Sequence, residues 1–138
     1  MMSSIEETTE LHLDFSKLTR LGGQEVIPVA LQDARTKEVL LIAYTNEEAL
    51  RETLRLRRVV LWSTSRNRLW DKGSEESGNR FAVEEIRVNC EQNSLVYFVT
   101  PEQGGICHTK TPGGENRNCY YRKLDFATGG LVLLPGGN

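Results

Sequence analysis

No stretch of this 138-residue chain approaches the about 20 consecutive apolar residues that a membrane-spanning helix requires. Positive charge is not in excess either: the formal net charge is −2, which excludes a broadly basic nucleic-acid-binding surface. There is no internal repeat and no low-complexity segment. Cysteine is scarce and odd in number, at three. The first residues, MMSSIEETTELHLDF, are acidic and polar, unlike a secretory signal, and lack the arginines of a mitochondrial presequence. A disulfide framework is therefore not expected. The chain reads as cytoplasmic, with reduced thiols available for metal binding or catalysis. What remains is ordinary: 38% hydrophobic and 26% charged residues, enough for one domain over residues 1–138 with a core of its own. Residues 1–10 and 129–138 read as irregular tails.

The apolar pattern predicts strands more than helices. EVIPVALQDARTKEVLLIAYTN gives two β-rich runs, 25–32 and 38–44, around a polar turn at Asp33–Lys37. Pro28 belongs at an edge or irregular position of the first run. Thr45 or Asn46 can cap a helix over 46–56, with Glu47 and Glu48 in its first turn and Ala49, Leu50, Leu54 and Leu56 facing the core. Val59–Ser63, 81–90, 94–100 and Cys119–Leu124 read as further strands. The polar stretch 64–80 reads as a loop or excursion. Residues 11–21 fit a short strand or a helical turn. One main helix among many strands makes the class α+β with a mostly antiparallel sheet.

All three cysteines fall at predicted strand ends beside loops, where metal ligands and catalytic groups are readily positioned. Cys90 and Cys107 are seventeen positions apart, and Cys107 and Cys119 twelve. Neither spacing is a C-x-x-C knuckle, and a free cysteine also serves as a small core hydrophobe. The surroundings GGICHT and ENRNCYY are unlike a core. Three thiolates on Zn²⁺ leave a fourth position open for water, the mark of a catalytic site. His108 can then act as a general base or proton shuttle, or close the tetrahedron as a fourth ligand. His12 is given no role.

A second constellation is WSTSRNRLWDKGSEESG, 62–78. Arg66, Arg68 and Lys72 stand among Ser63, Thr64 and Ser65 and flexible glycines, a mixture suited to phosphate. Trp62 can stack on a base or serve as a packing aromatic.

Together LLIAYTNEEAL, LWSTSRNRLWDKG with SGN, EIRVNCEQNSLVYFV, and GGICHT with NCYYRKL resemble the phosphoribosyl-AMP cyclohydrolase family of histidine biosynthesis. The four motifs occur in order across residues 25–124. The resemblance implies a zinc-dependent hydrolase that opens the purine ring of N1-(5-phosphoribosyl)-AMP between N1 and C6. It implies an intertwined, β-rich homodimer with one Zn²⁺ per subunit, ligands drawn from both subunits, and Mg²⁺ as a further cofactor. By motif position the zinc ligands would be Cys90, Cys107 and Cys119, and the catalytic histidine His108. Arg66, Arg68, Lys72, Ser63, Ser65 and Trp62 would meet a phosphorylated purine nucleotide; neither nucleic acid nor a membrane is implied as a partner. Hydroxide attack on a purine C6 is chemistry that thiolate-held zinc performs in the deaminases, whose H-x-E and P-C-x-x-C signatures are missing here.

Two departures stand out. The family pattern Asp-Cys-Asp-x-Asp, whose aspartates are assigned to Mg²⁺, reads Asn89-Cys90-Glu91-Gln92-Asn93 here. One carboxylate stands where three are expected, which weakens a protein-held Mg²⁺. Glu91, with the Asn89 and Asn93 carbonyls, is the remaining candidate set. The separation of Cys107 from Cys119 is also longer than is common in the family, with the extra residues around Lys110–Asn116. A divergent hydrolase of a related purine nucleotide, or a zinc-stabilised dimeric binding module without turnover, are the alternatives these departures keep open.

Overall fold

Apolar runs on either side of a polar turn fold as the alternation predicts. The computed structural model describes residues 19–21, 24–71, 80–102, 104–107 and 109–134. Within it β1 (Thr19–Leu21) and β2 (Gln24–Asp33) form a hairpin, and β2 pairs antiparallel with β3 (Val39–Thr45). The β2–β3 reversal is set by Asp33, whose Oδ1 accepts from the backbone N–H groups of Arg35 and Thr36 at 2.8 and 3.1 Å, an Asx turn. Ile27, Val29 and Leu31 are buried while Pro28, Ala30 and Gln32 are half-buried, the period-two pattern of a strand with one face on a core. Pro28 sits inside this central strand, not at its edge. Pairing with β7 begins only at Val29, so among the described residues only β3 flanks the strand at Pro28 and the missing N–H costs little.

The helix α1 (Glu47–Leu56) uses Asn46 as its cap: the Asn46 Oδ1 accepts from Ala49 N at 2.9 Å. Its buried stripe is Ala49, Leu50 and Thr53. Leu54, expected in the core, is exposed, and Leu56 is half-buried. The reason is local. Thr53 Oγ1 lies 2.9 Å from Val60 O and accepts from Val60 N at 3.0 Å, docking the helix on β4 (Val60–Ser63). A threonine with two partners takes the inner position and turns Leu54 outward.

Part of the expected 64–80 excursion is a strand. β5 (Arg68–Asp71) pairs with β4 from Val60↔Asp71 to Ser63↔Arg68, and Arg58 grips Asp71 through Nη2 and Nε at 2.7 and 3.2 Å. This bidentate bond raises the Arg58 pKa further above its ordinary value. Residues 72–79 of that excursion, and the 1–10 tail, lie outside the described residues.

β6 (Phe81–Val88) and β7 (Leu95–Pro101) form a hairpin, and β7 runs parallel to β2 from Val29↔Leu95 to Asp33↔Val99. The sheet order is thus β3-β2-β7-β6, antiparallel except for β2–β7. Bonds from Val59 N to Phe81 O and from Val83 N to Arg57 O cover the outer edge of β6. Among the described residues α1 is the one helix, so the α+β class holds. β8 (Arg122–Leu124) and β9 (Leu131–Leu133) make a separate hairpin. The 119–124 strand is therefore realised only in its last three residues. The tail from 129 is not irregular throughout: Gly129, at φ 73°, and Asp125 build a reversal, closed by Asp125 N to Gly130 O at 2.8 Å, that returns 131–133 onto β8.

The core gathers Ile27, Val29, Leu31, Leu61, Phe81, Tyr97 and Val99, with Ile106 added from the loop after β7. Tyr97 is fully buried and its hydroxyl has no hydrogen-bond partner among the described residues. The neighbouring hydroxyls are engaged elsewhere, Thr45 with Asn46 O and Thr53 with Ala49 O and Val60. Burial pushes the Tyr97 pKa up to about 12, partly opposed by the Thr45 and Thr53 hydroxyls. Because the folded value lies above the unfolded one, stability is unaffected by this ionisation below pH about 10, and falls as pH rises from there towards 12. Tyr97→Phe is expected to match or exceed wild-type stability at pH 7, since it removes an unpaired polar group. It should also lack roughly 3 kcal/mol of the alkaline destabilisation. Urea denaturation at pH 7 and above pH 10 checks both.

Candidate metal centre

The glycine-rich stretch after β7 is an ordered hairpin. Gly105 N donates to Asn116 O, Cys107 N to Arg117 O and Arg117 N to Thr109 O, at 3.1, 2.7 and 3.0 Å. Lys110 and Asn116 form an isolated bridge, and Thr111 N donates to Glu115 O at 2.8 Å. The extra residues of the long loop are taken up in this exposed tip, which closes on itself. Gly105 is required where it stands: a Cβ there would lie 2.3 Å from the carbonyl oxygens of both Asn116 and Arg117. That close approach lays the Cys107 arm against the arm that ends at Cys119.

Both loop thiols are half-buried. Cys107 Sγ lies 3.1 Å from Thr109 Oγ1 and accepts from Thr109 N at 3.4 Å. Donors aimed at a sulfur fix its rotamer and orient it as neighbours of a metal ligand do. Cys119 packs against the core, and its N–H donates to Leu40 O at 3.0 Å. Beyond it the guanidinium groups of Arg117 and Arg122 both stand over the Tyr121 ring, 4.5 and 4.8 Å from its centre.

Cys90 lies elsewhere, exposed on the β6–β7 turn. Cys119 meets the fold at Leu40, level with the Leu31–Gln32 end of β2. Cys90 lies beyond the Val88–Leu95 pair, level with the opposite half of β2 and two strands further across. With strands about 4.8 Å apart and about 3.3 Å per residue, that separation is on the order of 15 Å. Thiolates on one zinc sit within about 4 Å of each other, given Zn–S bonds near 2.3 Å. Among the described residues no group of three or more His, Cys, Asp or Glu converges within one chain. The structure thus brings Cys107 and Cys119 onto one hairpin and leaves Cys90 apart. Asn89, Glu91 and Asn93 flank Cys90 on its turn, while His108 and Lys72 lie outside the described residues.

Arg66 and Arg68 are exposed at the tip of the β4–β5 hairpin. Ser63 Oγ accepts from Arg66 N at 3.2 Å and lies 3.4 Å from Ser65 Oγ, so these serines shape the turn that presents the arginines. Trp62 Nε1 donates to Gln24 Oε1, and Gln24 Nε2 donates to Thr64 O at 2.9 Å. Gln24 ties the basic hairpin to β2. It was not singled out from the sequence, because a lone glutamine before an apolar run carries no signal of a contact 38 residues away. The cavity of about 220 Å³ between α1 and β6, lined by Thr53, Leu54, Arg57 and Val83 to Ile86, contains none of the predicted site residues.

The phosphoribosyl-AMP cyclohydrolase family model matches residues 41–121, a span that includes the basic hairpin, the Cys90 turn and the whole cysteine hairpin. The chain belongs to the phosphoribosyl-AMP cyclohydrolase family. It is 47% identical to the phosphoribosyl-AMP cyclohydrolase of Archaeoglobus fulgidus over 100 residues, 72% of this chain and 86% of that protein. To that of Cenarchaeum symbiosum it is 46% identical over 112 residues, 81% of this chain and 93% of that protein. It is also 49% identical to the histidine biosynthesis bifunctional protein HisIE of Thermus thermophilus over 105 residues, 76% of this chain but 46% of that longer protein. The family match ends at Tyr121, so the β8–β9 hairpin lies beyond it. No helix among the described residues is long and apolar enough to cross a membrane.

Gly105→Ala is expected to push the 116–117 backbone away, costing about 1–3 kcal/mol. Gly113→Ala in the same hairpin, whose nearest neighbour would be Thr111 Oγ1 at 3.7 Å, should stay within about 0.5 kcal/mol. Thermal denaturation of the two variants makes the comparison.

Proposed function

We propose that this chain hydrolyses the N1–C6 bond of the purine ring of N1-(5-phosphoribosyl)-AMP, a cyclic amidine C–N bond, as a zinc-dependent homodimer serving histidine biosynthesis. The observation that supports it most is the single hairpin that carries both Cys107 and Cys119 within a family match spanning residues 41–121. The donor set fits zinc: soft sulfur ligands, half-buried at Cys107 and Cys119 and exposed at Cys90, with the Thr109 N–H already directed at Cys107 Sγ. Cys90, Cys107 and Cys119 would hold the ion. When bound, Zn²⁺ acts as a Lewis acid that makes water acidic enough to attack at neutral pH.

The remaining work falls to side chains of this protein. Water adds at C6, the N1–C6 bond breaks, the water oxygen becomes the carboxamide carbonyl, and N1 leaves with a proton. The ribosyl group on N1 gives the ring a positive charge, so C6 is electrophilic from the start. One proton must leave the attacking water and one must reach N1. His108, next in sequence to Cys107, is suited to both transfers. Arg66 and Arg68, presented by the Ser63–Arg66 turn, with Lys72 suit the substrate's two phosphates.

A second copy supplies what one chain lacks. The distance of Cys90 from the cysteine hairpin supports a site completed across two subunits. The β8–β9 hairpin supports a paired state too, since it exposes Leu124, Phe126, Leu131, Val132 and Leu133, and a two-stranded hairpin alone is marginally stable in water.

Zinc-loaded protein incubated with phosphoribosyl-AMP should yield the ring-opened product, followed by its change in ultraviolet absorbance. Cys119→Ser should lose bound zinc and more than about 100-fold in turnover. An inactive zinc-loaded wild type, or a Cys119→Ser variant with unchanged zinc content, would contradict the proposal.

A further inference from the structure

The turn joining β6 to β7 is closed by amides. Asn89 Oδ1 accepts two backbone N–H groups, from Asn93 at 2.9 Å and Ser94 at 3.0 Å. Those two donors fix which end of the Asn89 amide is oxygen, because an NH₂ group cannot accept them. Its Nδ2 therefore faces Asn93 and donates to Asn93 Oδ1 at 2.7 Å. The Asn93 Nδ2 in turn donates to Glu91 Oε2 at 3.2 Å. The three side chains form one directional chain of donors, Asn89 to Asn93 to Glu91. The backbone closes around it through Gln92 N to Asn89 O at 3.0 Å, with Gln92 in the left-handed region at φ 55°. Asn93 and Gln92 are both buried.

These are the positions at which the family pattern places three aspartates and assigns Mg²⁺. The residues present do not fit that ion. Mg²⁺ takes hard, anionic oxygens at about 2.0–2.1 Å in a near-ideal octahedron, and here one carboxylate remains. Both lone-pair directions of Asn89 Oδ1 are taken by backbone N–H groups, and the Asn89 NH₂ fills the gap to Asn93. With aspartates at 89 and 93, two carboxylate oxygens would face each other across that 2.7 Å contact and would need a cation or a proton between them. An amide N–H does this work without either. We infer that the side-chain amides of Asn89 and Asn93 take the place of a divalent cation in the β6–β7 turn, so that this chain presents Cys90 without Mg²⁺ at residues 89–93.

The inference rests on the turn's own bonds and on the family pattern, not on turnover, and it is tested without substrate. Mn²⁺, detected by its electron paramagnetic resonance signal, serves as the probe on zinc-loaded protein. Wild type and Glu91→Gln should bind Mn²⁺ alike, to within about twofold. Asn89→Asp/Asn93→Asp should bind it at least tenfold tighter than wild type, and only that variant should gain thermal stability when Mg²⁺ is added. A wild-type site weakened tenfold or more by Glu91→Gln would overturn the inference. So would a folded double-aspartate variant that gains no affinity. If that variant fails to fold, the comparison of wild type with Glu91→Gln decides alone. Dependence of wild-type turnover on Mg²⁺ that Glu91→Gln abolishes would also overturn it, whereas absence of turnover bears only on the proposed activity.

Discussion

Cys119 donates its backbone N–H to the carbonyl of Leu40, at the buried start of β3, and the placement of both loop thiols depends on that bond. Cys107 is held against the 116–117 arm by its own N–H bond to Arg117 O and by the neighbouring Gly105 N–H bond to Asn116 O. That arm is fastened to the core two residues later. The glycine at 105 permits the close approach, and Ile106, buried among the core side chains, keeps the near arm in place. A long, polar, glycine-rich segment thereby becomes a rigid holder for two sulfurs. Loops positioned by a fixed scaffold are where ligands and catalytic groups are commonly found.

The same sheet that anchors this hairpin keeps Cys90 away from it. Cys90 belongs to the turn at one end of the β6–β7 pair, and β2 and β7 stand between that turn and β3. A strand order cannot be altered by side-chain adjustment, so a three-thiolate centre in one chain would require rebuilding the sheet. Under the proposed function the separation becomes a reason for pairing, because an isologous dimer presents each turn to the other chain's hairpin and builds two equal sites. The polar bonds around Cys90 suit that use, since its turn is braced before any partner arrives.

Much of this was legible in the sequence, for identifiable reasons. Strands β2, β3, β6 and β7 carry alternating or continuous apolar runs, and the Asn46–Glu48 cap is a local signal with a local cause. Leu54 was misplaced because periodicity cannot see that Thr53 has partners on β4. β5 was missed because Arg68 and Asp71 are charged; Asp71 is held by Arg58, a tertiary contact rather than a pattern. β9 was hidden behind Gly129 and Gly130, which act as a reversal and not as the beginning of a tail. The three cysteines were legible as candidates by type and surroundings, while their distribution over two places in the fold required the strand order. The cost of two aspartates changed to asparagine was legible as lost charge. The closed amide chain that replaces them was not, since it depends on two backbone donors choosing the orientation of one side chain.

The most direct test of a site shared between two copies is complementation between inactive variants. Cys90→Ser and Cys119→Ser proteins, each inactive alone, are mixed under conditions that exchange subunits, and turnover of phosphoribosyl-AMP is measured. In a mixed dimer one site carries both substitutions and the other carries neither. With half of the dimers mixed, the account predicts recovery to about one quarter of wild-type activity. No recovery, with mixed dimers shown to have formed, would contradict it.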